Sequence, residues 1–314
     1  MVYILGNNEW DYIEQVDDAI DDDIDRALFV GGVLYSHAYK AHHPDTEVEA
    51  VEQDRMTAFF QEFVADEIQK GRDASEILQN TFLAAKSDRA MPENWERPAP
   101  SALLVPQEDI EAIHGEYEDF VERNDRYTRE DLAAITGENP IENVFGRFEP
   151  VDEDEYSGDQ QKHTVDLYEI EHQRHTYLDL VDEIGEVAEP DNIHVQDISE
   201  AEDDADLIYT NNVIDWFDSP EQFFTAVDRA GSDDGYYLEL YTTGTGYGAE
   251  VFDDPEEIRD IAEQATGRTA EIIETDAEGN VYETQPDGDT ETRFGTYNTH
   301  PIKDGDNHVL LYLE

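Results

Sequence analysis

The sequence predicts an α/β fold: a Rossmann-like, doubly wound, mostly parallel sheet with a mainly helical insertion. Three observations carry this reading. The first 71 residues alternate strand, glycine turn, helix, strand, acid and helix. Residues 191–314 repeat the rhythm, and residues 72–190 between them carry helical periodicity without it. Consecutive strand and helix units of this kind imply a parallel sheet with right-handed crossovers.

In the first half, RALFVGGVLYSHAYK (residues 26–40) opens with a buried strand over Ala27 to Val30, turns at Gly31-Gly32 and continues as a helix. Val48 to Val51 is the second strand. It ends in Glu52-Gln53-Asp54 before the helical run from Arg55 to Gly71. In the second half, strands are expected at Ile193 to Ile198, Ala205 to Thr210 and Gly235 to Thr242. Ser219 and Pro220 suit the N-cap and first position of a helix running to Ala230. A further helix over Asp254 to Thr266 precedes strands at Thr269 to Thr275 and His308 to Glu314, expected as neighbours at one edge of the sheet. In the insertion, helical spacing covers 74–86, 107–124, 129–136 and 165–187, interrupted by a proline-rich stretch from Met91 to Pro106. Residues 149–161 and 285–292 read as surface loops or hairpin tips.

Composition narrows the function classes. Eighty Asp and Glu face 19 Lys and Arg, five of them lysine, for a net charge of −61. The acids are spread along the chain, which is the pattern of a protein adapted to molar salt, where the Debye length falls to about 3 Å. A cytoplasmic protein of a salt-accumulating halophile is the expectation. Nucleic acid held by phosphate contacts is disfavoured, because no Lys/Arg stripe occurs. No apolar run is long enough for a membrane span and no signal-peptide pattern opens the chain, so neither membrane nor secretory machinery is expected as a partner. Zero cysteine excludes disulfides, thiolate metal sites and thiol nucleophiles.

In an open parallel sheet, ligands sit beyond the carboxyl ends of the strands where strand order reverses. Gly31-Gly32 would let backbone N–H groups and a helix N-terminus approach a ligand there. Glu52, with Gln53 beside it, could accept hydrogen bonds from two ribose hydroxyls, and Asp197 with Ile198 could meet an adenine. Glycines after a first strand and an acid after a second also occur in doubly wound domains of other function.

In order, RALFVGG, VEAVEQD, IHVQDIS and DADLIYTNNVIDWFDSPEQFFTAVDRAGSDDGYYLELY resemble the class I S-adenosylmethionine-dependent methyltransferase superfamily. The resemblance spans about 190 residues, is most specific from Asp204 to Tyr241, and fits an origin in a haloarchaeon or its virus. It implies S-adenosylmethionine as cofactor, with Gly31 and Gly32 at the methionine moiety, Glu52 at the ribose, Asp197 and Ile198 at the adenine, and Asn211 and Asn212 at the floor of the acceptor site. It implies a small-molecule or protein acceptor, partly enclosed by the insertion. Asp215 is the candidate base, and Tyr35 and Trp216 are candidate substrate contacts; Asp215 also reads as an exposed turn acid and Trp216 as a core or rim aromatic.

The glycine loop departs from the family pattern. Phe29 stands where an acid is usual, and Val33 and Tyr35 where further glycines are. Thr210-Asn211-Asn212-Val213 replaces the Asn-Pro-Pro-aromatic tetrad of nucleobase amino-methyltransferases, which argues against base methylation. Two alternatives stay open: a non-catalytic protein on the same fold, making protein contacts through its insertion, and an aminocarboxypropyl transferase using the same cofactor. A metal centre is not expected. Glu111-x-x-His114 and Glu169-x-x-His172 have di-iron spacing, yet with 80 acids in 314 residues and ten histidines, chance alone puts an acid three positions before a histidine two or three times. It happens three times, the third being Asp191 before His194.

Overall fold

The computed structural model describes residues 10–20, 22–73, 77, 102–130, 162–166, 181, 184–201, 204–211, 213–214, 217–241, 255–275, 289–292, 295–298 and 308–314. They divide into two compact units, one within Phe59–Gly185 and the other within Gly6–Ala58 and Glu186–Glu314. The division falls inside a helix.

The larger unit is built on a seven-stranded sheet. In chain order its elements are α1 (Trp10–Ala19), β1 (Arg26–Val30), α2 (Val33–His42), β2 (Glu47–Val51) and the start of α3 (Arg55–Gln69). The smaller unit's β3 (Ala102–Pro106), α4 (Gln107–Arg123) and β4 (Lys162–Asp166) come next. The larger unit resumes with β5 (Asn192–His194), β6 (Leu207–Asn211), α5 (Pro220–Asp228), β7 (Tyr236–Tyr241), α6 (Pro255–Thr266) and β8 (Ala270–Thr275), and ends with the β9 (Asp289–Thr292) and β10 (Gly295–Asn298) pair and β11 (His308–Leu313). The sheet order is β5-β2-β1-β6-β7-β11-β8. Every pairing from β5 to β7 is parallel, whereas β11 runs antiparallel to both its neighbours. The two final strands of the sheet are thus neighbours, and β8 forms the edge.

Period-two alternation explains how helices cover both faces. Leu28 and Val30 of β1 share one core with Ile208, Leu238, Leu240, Val309 and Leu311 from the other strands, and with Phe223, Phe224, Val227, Ile258 and Ala262 of α5 and α6. The intervening residues serve the opposite face. There the Phe29 ring lies 5.2 Å from both Tyr39 of α2 and Tyr209 of β6. Helix α5 starts as its sequence predicts, with Ser219 Oγ accepting from Gln222 N–H at 3.4 Å and Pro220 in the first turn. Helix α1, not expected from sequence, buries Ile13 and Val16. Its Asp17 accepts at 2.7 Å from His43, which closes α2 and stacks on Tyr39.

In the smaller unit, Phe59 and Phe63 of α3 meet Tyr117 and Phe120 of α4 edge to face, with Tyr127 closing the cluster. Buried Glu62 accepts from Tyr127, Asn124 and Arg126, and Arg123 grips Asp66 with two nitrogens at 2.7 and 2.9 Å. The helical reading of 165–187 needs correction at its start: β4 pairs antiparallel with β3, so Val165 and Asp166 are strand residues. The pairing partner lies sixty residues away, beyond the reach of local periodicity.

One corner of the larger unit is closed by an absent side chain. A Cβ on Gly231 would lie 2.3 Å from the Tyr236 ring. That ring is buried and has the Arg268 guanidinium 5.2 Å over it, so it has nowhere to retreat. Gly231→Ala should therefore destabilise the fold by about 2–3 kcal/mol through overpacking. A chemical-denaturation midpoint at fixed KCl equal to that of the wild type would show that this corner is loose.

Candidate functional site

Strand order reverses at β1, which has β2 on one side and β6 on the other. Val30 is in register with Val51 and with Thr210, and Val51 with His194. β1, β2 and β5 therefore end level, with β6 one residue longer, and Gly31, Glu52 and the strand-ending Asn211 share one edge with the 195–197 turn after β5.

Gly31 has φ 74°, a left-handed conformation suited to glycine, and its N–H donates to Val51 O at 2.9 Å. Gly32 then starts α2 without a side-chain cap. The first N–H groups of α2 face the strand ends, where the positive end of the helix dipole favours electron-rich ligand groups. Behind them the room is taken by the chain itself. A Cβ on Gly32 would sit 3.3 Å from Tyr35 Cδ2, and Tyr35 is fully buried with its ring 6.2 Å from Tyr209. Tyr35, expected at the substrate, is thus a core residue. Phe29 is likewise core, because two positions before Gly31 the side chain points into the sheet's aromatic face.

Glu52 is 9% exposed. Its N–H donates to His194 O at 2.9 Å, and its Oε1 accepts from Asp54 N–H at 2.8 Å. Burial pushes its carboxyl up to about 7; the Asp54 and Gln53 N–H groups hold it back and the Asp54 charge adds to the rise. Gln53 and Asp197 meet. The Gln53 amide lies 3.4 Å from Asp197 Oδ2, while Asp197 Oδ1 accepts from Ser199 N–H at 2.8 Å and caps the short turn of 3-10 helix at Ile198–Glu200. Ile198 belongs to the core beneath that turn, so its side chain is not offered to a ligand. Asn211 closes β6 in register with Tyr241. Asn212, Asp215 and Trp216 lie outside the described residues, as do Glu169, His172 and His175.

Sequence reasoning passed over Asp54. It holds Glu52 through its N–H and caps α3 by accepting from Thr57 N–H at 3.0 Å. The signal was present as Asp-x-x-Thr before an apolar helical run. Among the described residues no group of three or more His, Asp or Glu is placed to hold a metal ion, and no helix is long and apolar enough to cross a membrane. Compared with protein-family models, with curated proteins and with solved structures, the chain matches none.

The buried Glu52 makes stability depend on pH. Its folded value of about 7 lies above the ordinary 4.5, so the folded state favours the neutral acid. That contribution is complete below about 4.5 and is lost as pH rises through 7. Relative to Glu52→Gln, the wild type should lose about 3 kcal/mol between pH 4.5 and 8. Parallel denaturation curves for the two proteins across this range would show Glu52 to be ionised without cost.

Proposed function

We propose that this chain is an S-adenosylmethionine-dependent transferase of class I methyltransferase type, acting on a small-molecule or protein acceptor. The observation that carries the reading is the level carboxyl edge at the strand-order reversal, which gathers Gly31-Gly32, Glu52-Gln53 and Asp197. The topology adds support: counted in chain order, the sheet strands run 3-2-1-4-5-7-6 with the seventh antiparallel, and this resembles the class I methyltransferase sheet rather than the all-parallel 3-2-1-4-5-6 dinucleotide-binding one.

The residues at the edge suit a nucleoside. Glu52, fixed by Asp54 at the end of β2, offers a carboxylate for a ribose diol. The positive φ of Gly31 and the uncapped start of α2 offer backbone N–H groups, and Gln53 with Asp197 offers polar atoms at the base side. When bound, the cofactor supplies an activated methyl group on a sulfonium. The protein's part is to align the acceptor with it and to take up a proton where the acceptor carries one.

A second reading, a non-catalytic protein on this fold, is favoured by Phe29 and Tyr35, whose rings pack behind the glycine turn. Calorimetric titration separates the two. With the transferase, S-adenosylhomocysteine binds at micromolar affinity in about 3 M KCl and Glu52→Ala weakens it by at least about 2 kcal/mol, the scale of a lost charge-assisted hydrogen bond. Heat-free titrations of folded protein with both S-adenosylmethionine and S-adenosylhomocysteine would favour the scaffold.

A high-salt cytoplasm is the working environment we propose, on the net charge of −61. Screening of acid–acid repulsion should raise the thermal midpoint steadily from about 0.1 to 3 M KCl. A midpoint independent of KCl would contradict it.

A further inference from the structure

We propose that Asp54 is a positioning residue for Glu52: its N–H holds the Glu52 carboxylate at the end of β2, and its negative charge adds to the burial that makes capture of a neutral vicinal diol by Glu52 release a proton. The inference rests on the nucleoside-binding reading above and adds to it a role for Asp54 and a proton linkage. The geometry is local. Asp54 N–H to Glu52 Oε1 is 2.8 Å, and the Asp54 side chain is fixed in turn by Thr57 N–H at 3.0 Å. The acid's charge is therefore held beside a carboxyl that is 9% exposed.

The surrounding groups leave Asp54 as the charge that acts on Glu52. On β5, His194 offers Glu52 its carbonyl oxygen, while its ring lies 3.2 Å from Glu49 Oε2. In the following turn, Asp197 is engaged by Ser199 N–H and the Gln53 amide. Strand β1 ends beside it in Gly31, which carries no charge. The desolvation of the site also limits screening, so the effect of Asp54 persists in molar salt.

A carboxyl that accepts hydrogen bonds from two ligand hydroxyls has to be ionised. Near neutrality Glu52 is in part protonated, so binding converts its carboxyl to carboxylate. The proton leaves to the buffer, both hydroxyl O–H bonds stay intact, and no other bond changes.

The test is calorimetric titration of S-adenosylhomocysteine from pH 6 to pH 8 in about 3 M KCl, in two buffers of different ionisation enthalpy, with adenosine as a diol probe lacking the amino acid moiety. Affinity should rise about tenfold over that range for both probes, with nearly one proton released per ligand at pH 6. Asp54→Asn keeps the N–H and a good helix cap but removes the charge. It should move the midpoint to lower pH and make the rise smaller than that of the wild type. A purely structural role would instead weaken binding equally at every pH. Wild-type binding that is independent of pH, or an Asp54→Asn profile that superimposes on the wild type, overturns the proposal and leaves the transferase reading standing. Absence of binding at every pH overturns both.

Discussion

The structure depends on parallel pairing of one short strand on both of its sides. β1 has five residues, and its register with β2 and β6 decides where every other element of the larger unit can lie. Both ends of the strand are fixed. At the amino end, Asp206 Oδ2 accepts from the N–H groups of Asp25 and Arg26, each at 3.0 Å, and at the carboxyl end Gly31 N–H donates to Val51 O. A slip of one residue would exchange Leu28 and Val30 with Phe29, turning the Phe29 ring into the core packed by α5 and α6 and the two aliphatic side chains out of it. It would also carry Gly31 out of line with Glu52. Fold and candidate site are therefore one constraint seen twice.

Charge sets the second constraint. With 80 acids and 19 cations, the chain cannot neutralise its surface, and several of the described cations are placed where acids approach the folded framework. Lys40 bridges Asp191 and Thr46 O, holding the turn before β5 against the start of β2. Arg268 pairs with Asp228 beneath the Tyr236 corner, and Arg123 and Arg126 hold Asp66 and Glu62 around the aromatic cluster of α3 and α4.

Much of this was legible because local signals agreed with the final packing. RALFV, VEAV and the Ser-Pro start of α5 fell in place within a residue or two, since apolar runs and capping residues act over a few positions. The insertion of β11 between β7 and β8 was not legible in the same way. Its apolar run marks a buried strand, but an antiparallel partner has no local signature, so adjacency could be read and order could not. Helix α1 escaped for another reason: WDYIEQVDDA is rich in acids, and among its described side chains Ile13 and Val16 are the core anchors. At the site, the strand-end residues Gly31, Glu52 and Asn211 could be placed from strand ends alone. The roles of Tyr35 and Ile198 could not, because each is apolar and adjacent to the edge, and only tertiary packing decides whether it turns outward or into the core.

The altered glycine turn becomes intelligible on the same grounds. An acid at position 29 would sit in the sheet's aromatic face between Tyr39 and Tyr209, where burying an unpaired carboxylate costs several kcal/mol. Phenylalanine removes that cost. Tyr35 extends the same aromatic layer up to Gly32 and fills the room behind the turn. The consequence is a division of labour along the edge. The turn after β1 has only backbone to offer, and the polar chemistry shifts to the end of β2, where Glu52 is the buried acid and Asp54 is the residue that fixes it. A ligand at this edge would thus be held chiefly through neutral hydroxyls and backbone groups, which suits a protein whose own charge repels anions over most of its surface.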